Sequence, residues 1–254
     1  MAEESIIAWT DNTWNPWMGC TKVSAGCTNC YAETLTGVRM RLDVWGDHNP
    51  RKRTSAAYWR KPARWNREAA KLGRSLRVFC ASLCDVLEDQ PEPNEWRADV
   101  WGVIRATPNL DWQLLTKRPE RYADELPNDW GDGWPNVWLG TSIEDARVAD
   151  RVRHLTAVPA VVHFVSYEPA IGPLAHAIDL SGVEWVIYGG ESGLGFRRED
   201  KQWARDMHRA CADAGVAFFH KQSAGYRTEL GIELDGKIVR EYPQEPRTLG
   251  GLFR

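Results

Sequence analysis

Long apolar runs are missing from this chain, and so are the marks of export. No stretch approaches the roughly 20 consecutive apolar residues of a membrane span, so no membrane partner is expected. The opening MAEESIIAWT has no basic segment followed by an apolar one. A cytoplasmic location is the expectation. Six cysteines in 254 residues are too sparse for a small disulfide-stapled scaffold. Charge of one sign is also lacking: a net −3 argues against wholesale polyanion binding. No internal repeat or low-complexity linker divides the chain. One domain over residues 1–225 is expected, with a tail over 226–254 packed on its surface and a small hairpin near Asp235-Gly236.

What is present is enough apolar material, 43%, for a sizeable core. Fourteen tryptophans are unusual, and many must be buried. Trp59, Trp65 and Trp112 sit in polar surroundings, where a flat ring can also stack on a ligand.

Short apolar, β-rich runs recur along the chain. Strands are predicted at Arg77–Ser82, Trp112–Thr116, Asn136–Thr141, Val161–Ser166, Glu184–Tyr188 and Val216–His220. An earlier strand at Ile6–Thr10 or Trp14–Gly19 would open the series. Helices are predicted at Asn94–Ala106, Ile143–Leu155 and Asp200–Ala214, the last stopped by Gly215. Continuous apolar strands alternating with helices point to an α/β fold with a parallel sheet, either a β/α barrel or an open doubly wound sheet.

Cys20, Cys27 and Cys30 read C-x6-C-x2-C inside WNPWMGCTKVSAGCTNCYAE. Three thiolates without a fourth can hold an iron–sulfur cluster with one iron open to a ligand. The alternatives are a structural zinc site with a distant fourth ligand, or ordinary thiols. Candidate fourth ligands are Cys80, Cys84, Cys211 and the six histidines.

Polar residues follow the apolar runs. They include Ser82 and Asp85, Lys117 and Arg118, Ser142 and Glu144, Ser166 and Glu168, Gly189-Gly190-Glu191-Ser192, and Lys221-Gln222. In a β/α barrel these strand ends build the active site. Any one of them has an ordinary explanation, such as Ser142 as a helix N-cap. Residues 51–74 hold nine Lys/Arg and one acid, Glu68, interleaved with Tyr58, Trp59 and Trp65. That composition suits a nucleic-acid patch or a solvated helix with its rings in the core.

The segments IAWTDNTWNPWMGCTKVSAGCTNCYAE, WQLLTKRPER, PNVWLGTSIED, FVSYEPAIGPL, WVIYGGESG and VAFFHKQSAG together resemble the phage-associated gp-thirty-seven/gp-sixty-eight family. That family looks like a divergent relative of radical S-adenosylmethionine (SAM) enzymes. The resemblance implies a single-domain, partial or complete TIM-like β/α barrel. It implies a [4Fe–4S] cluster on Cys20, Cys27 and Cys30, SAM as cofactor, and an external electron donor. The spacing departs from the usual C-x3-C-x2-C, and Asn29 replaces the usual aromatic residue. A nucleotide or nucleic-acid base is the expected substrate, for modification or repair. On this reading Lys117, Glu168 and Glu191 are catalytic. Tyr31, Ser82, Asp85, Ser142, Glu144, Ser166, Gly189, Gly190 and Ser192 bind the cofactor. Arg118, Lys221, Gln222, Trp59 and Trp65 bind substrate. The competing readings are a zinc-stabilised nucleic-acid-binding protein and a metal-dependent hydrolase or lyase on the same barrel.

Overall fold

The computed structural model describes Ser5 and residues 7–249. Seven parallel strands run through it in the order β1 (Asn12–Trp14), β4 (Leu76–Cys80), β5 (Leu110–Thr116), β6 (Val137–Ser142), β7 (His163–Ala170), β8 (Trp185–Gly190) and β9 (Ala217–Gln222). Each strand pairs only with its predecessor and successor in this order, and the sheet curls into an open half-barrel. A two-stranded antiparallel ribbon stands apart from it, β2 (Trp17–Met18) with β3 (Lys52–Arg53).

The helices between strands are α1 (Tyr31–Glu33), α2 (Ala56–Trp59), α3 (Lys61–Leu72), α4 (Pro91–Arg105), α5 (Tyr122–Glu125), α6 (Arg151–Thr156) and α7 (Lys201–Ala214). Local chemistry sets their ends. Asp200 caps α7 by accepting from the Gln202 N–H at 2.8 Å. Gly215 ends it at φ +70°, a conformation that glycine adopts without steric cost.

Strand alternation divides the core in two. Val78, Leu114, Leu139, Val165, Val186 and Phe218 belong to the larger cluster, which also takes in buried residues of α3, α4, α6 and α7. Phe79, Trp138, Phe164, Trp185, Ile187 and Phe219 form a separate aromatic plug on the other face, together with Trp9. Trp185 meets the rings of Trp138, Phe164 and Phe219 at 5.9, 5.9 and 6.1 Å. This plug fills the concave side, so the residues that follow it on the same strand face stand above a solid floor. Those residues include Lys117, Ser142, Glu168 and Lys221.

All fourteen tryptophans are buried or half-buried. Trp112 is fully buried and belongs to the core. The predicted N-terminal strand is split. Residue 6 lies outside the described residues, and residues 7–10 form no strand. Over Trp14–Gly19 the chain leaves the sheet after Trp14, where Pro16 has no N–H to give a ladder. The predicted Ile143–Leu155 helix is also interrupted. Ile143 donates to Ser166 O, and Ile171 donates to Glu144 O, so both residues stay extended. Asp145 then caps a short turn through the Arg147 N–H at 2.9 Å, and α6 starts only at Arg151. A tight pair of reciprocal backbone bonds between Leu234 and Lys237 closes the turn at Asp235-Gly236.

Candidate functional site

The C-terminal strand ends open into one cleft of about 590 Å³. Its walls bring together Cys20, Cys27, Cys30, Tyr31, Ser82, Asp85, Lys117, Arg118, Ser142, Ser166, Glu168, Gly190, Glu191, Ser192 and Lys221, all of them marked from sequence. Trp65 reaches the wall from α3 but is 4% exposed and packed in the core. Trp59 does not line the cleft. It packs edge-on against Trp14, carries the Arg53 guanidinium over its ring at 4.1 Å, and donates its indole N–H to Pro16 O. Gln222 lies behind the wall and donates to Gly190 O. Glu144 and Gly189 are second-row groups with direct effects on the wall.

Three acid–base contacts organise the mouth. Lys221 at the end of β9 donates to Glu168 at the end of β7. A Cβ on Gly189 would stand 3.0 Å from the Glu168 carboxyl carbon, so the absent side chain makes room for that carboxylate. Lys117 follows β5 and stands 3.5 Å from Glu144, a looser pair. Glu144 is 1% exposed and is held more closely by Ser24 Oγ at 2.8 Å and Arg151 at 3.0 Å. Glu191 after β8 accepts from Arg197 and from Asn29 at 3.0 Å. Burial would push the Glu191 pKa up, but Arg197 and Asn29 outweigh it and hold the carboxyl below its ordinary value.

Asp85 and Arg118 form the other wall. Asp85 accepts from the Thr116 hydroxyl at 2.6 Å, the Lys117 N–H at 3.1 Å and Arg118 at 2.8 Å. Burial opposes its charge, yet Arg118 and these donors hold its pKa below the usual value. The Arg118 fork is largely occupied, since it also donates to Thr21 O at 3.0 Å and points at Cys20 Sγ at 3.7 Å. Arg118 therefore fixes the cysteine loop in place.

That loop closes the mouth from above. Arg197 donates to Ala25 O at 2.9 Å, and Ser24 binds Glu144. A Cβ on Gly26 would fall 2.3 Å from Glu144 Cγ, so the loop sits directly on that side chain. Arg51 and Glu88 hold its base: Glu88 takes Thr21 N at 2.6 Å and Arg51 at 2.7 and 2.8 Å. Tyr31 donates to Ser82 O at 2.8 Å.

The cysteines do not form the expected metal centre. Among the described residues, no group of three or more His, Cys, Asp or Glu could hold a metal ion, and all six cysteines are free. This corrects the expectation of a [4Fe–4S] cluster on Cys20, Cys27 and Cys30, and with it the radical SAM activity and the SAM cofactor. It equally removes the metal site on which the zinc-stabilised and the metal-dependent hydrolase or lyase readings relied. A physical reason is visible at Cys20. Its sulfur is already engaged, donating to Thr21 O at 3.4 Å and accepting from Arg118 at 3.7 Å, and burial with Asp85 and Glu88 nearby pushes its thiol pKa well up. Burial raises Cys30 as well.

Sequence reasoning missed Ser24, Asn29, Glu88, Arg51, Arg151 and Arg197. Arg197 carried a faint signal: it follows the Gly-rich turn after Glu191 and is well placed to fold back on it.

Fold and site together define an α/β half-barrel protein with a charged cleft at the C-terminal ends of its strands. The family model that matches covers residues 4–243 and is described as a protein of unknown function, DUF5131. The chain belongs to that family, which replaces the phage gp-thirty-seven/gp-sixty-eight assignment. No curated protein and no solved structure matches it. Among the described residues, no helix is long and apolar enough to cross a membrane.

Proposed function

We propose that the cleft takes a nucleotide-sized ligand and exchanges a proton with it through Lys221 and Glu168. The observation that supports this most directly is the contact between these two side chains on the cleft wall. They face each other from two inward strand positions, and each keeps some exposure, 10% for the Lys221 side chain and 22% for that of Glu168. The two together place a proton donor and a proton acceptor within reach of one ligand.

The rest of the cleft suits a ligand with a flat body and an anionic end. Phe79, Leu115 and Tyr58 supply apolar wall, and Lys117 supplies a cation only loosely held by Glu144. Lys117 would receive the phosphate or carboxylate. Glu191, fixed by Arg197 and Asn29, would accept from ribose hydroxyls. Ser82, Ser142, Ser166 and Ser192 offer neutral polar contacts along the same wall. Asp85 and Arg118 position the wall and the loop above it.

The test is a melting-temperature screen of the full chain against nucleoside mono- and diphosphates, followed by calorimetric titration of any hit. At least one should raise the melting temperature. Lys117→Ala should weaken it about tenfold or more, the value of one charge-assisted hydrogen bond. Stabilisation by no member of the panel would sink the reading.

A further inference from the structure

A second groove of about 1090 Å³ opens beside the cleft and shares Asn29, Cys30, Tyr31 and Ser192 with it as lining. One wall is the π-helical segment Thr34–Arg39 with the chain that follows it. The other comes from residues 192–194 and 226–228. π-helical turns are rare and are found disproportionately at functional sites.

Charge and exposure on this groove are unusual for the molecule. Arg39, Arg41 and Arg227 all line it and are exposed. Among the described residues no carboxylate pairs with any of the three; Arg227 has only the Tyr226 ring at 5.8 Å. The two lining acids are engaged elsewhere, Glu33 with Lys22 at 2.7 Å and Asp43 with Asn49 at 2.6 Å. Large apolar side chains are also turned outward here. Leu194 is 95% exposed, Val38 72% and Tyr226 63%. Most of the molecule's other arginines sit in ion pairs, so three unpaired ones beside outward-facing apolar and aromatic groups need a different account.

Resting on the nucleotide reading of the cleft, we infer that the ligand is one unit of a single-stranded nucleic acid whose neighbouring nucleotides lie in this groove. The arginines meet the phosphates. Tyr226 and the outward apolar groups meet unstacked base faces, which a single strand exposes and a duplex hides. A peptide of acidic residues alone would satisfy the arginines but leave the flat and apolar groups without a use. The overall charge of −3 fits a local patch of this kind and not a general polyanion binder.

The probe is a short, fluorescein-labelled single-stranded oligonucleotide, as DNA and as RNA, followed by anisotropy at several salt concentrations. The full chain should bind it. The triple variant Arg39→Ala/Arg41→Ala/Arg227→Ala should weaken binding at least about tenfold near 100 mM salt, and its salt slope should fall by about 2, three phosphates at ~0.7 each. Tyr226→Ala should cost about tenfold through lost stacking. Mononucleotide stabilisation should be unchanged in the triple variant. Equal binding by wild type and triple variant would overturn the inference. So would equal or tighter binding of a duplex of the same length, or of poly-glutamate. The mononucleotide screen judges the cleft and the oligonucleotide series judges the groove, so either can fail alone.

Discussion

Arg51→Met should be among the most damaging single substitutions in the chain, although Arg51 does not line the cleft. Its side chain is fully buried. It donates to both oxygens of Glu88, to the carbonyls of Val44, Gly46 and Asn49, and to the Thr21 hydroxyl. Methionine keeps much of the volume and removes every donor. Glu88, 1% exposed, would then keep Thr21 N at 2.6 Å and only a distant cation, Arg118 at 3.8 Å. Breaking a buried pair from one side costs about 3–5 kcal/mol, because an uncompensated charge is left behind. For a domain of this size each kcal/mol moves the melting temperature by about 2–4 °C, so a fall of about 10 °C is expected. Urea unfolding should show the same loss as a lower midpoint with little change in slope. The double variant Arg51→Met/Glu88→Gln should lose less than the sum of the two single variants, since it removes both charges. A fall of less than about 2 °C for Arg51→Met would refute the reasoning and show that the loop base is held by other contacts.

Other outcomes follow from the same structure. Because the folded pKa of Asp85 lies below its ordinary value, its contribution is complete above about pH 4 and is lost as pH falls through the lower folded value. Asp85→Asn should therefore lower the melting temperature clearly at pH 7 and progressively less as the pH falls below about 4. Gly26→Val places a branched side chain where Glu144 already lies, which should cost about 1–3 kcal/mol and speed tryptic cleavage after Lys22 as the loop lifts. Gly215→Ala, at a left-handed φ, should cost about 1 kcal/mol in thermal unfolding without touching ligand binding.

Much of the architecture was legible in the residues themselves. A strand buried on both faces has to be apolar along its length, and that local signal marked six of the seven sheet strands to within a few residues. Helix α7 carried its own start and stop, Asp200 and Gly215. Most of the polar residues marked at strand ends do line one cleft, because alternation and the shared parallel direction send them to the same side. The N-terminal strand was less legible, since β1 has three residues and Pro16 cuts the run that follows. The aromatic, basic segment was ambiguous for a related reason: ring and charge counts do not say which way a helix faces. Packing turned Trp59 and Trp65 toward the body of the protein and joined Arg51 to Glu88.

The cysteine triplet shows where local reading stops. Spacing says that three thiols are near in sequence, and only the folded chain says what surrounds them. Here Arg118, Asp85 and Glu88 stand beside Cys20, and the loop is anchored through Ser24, Asn29 and Arg197 to carboxylates more than 100 residues away. By itself the sequence determined six of the sheet strands, the two ends of α7 and the set of polar groups at one end of the sheet, because each depends on neighbours within a few residues. Tertiary structure alone decided that Lys221 meets Glu168 across 53 residues, that the loop closes on Glu144, and that three arginines along one groove meet no carboxylate among the described residues. Those outcomes depend on how separate elements pack, and no local pattern encodes the distance between them.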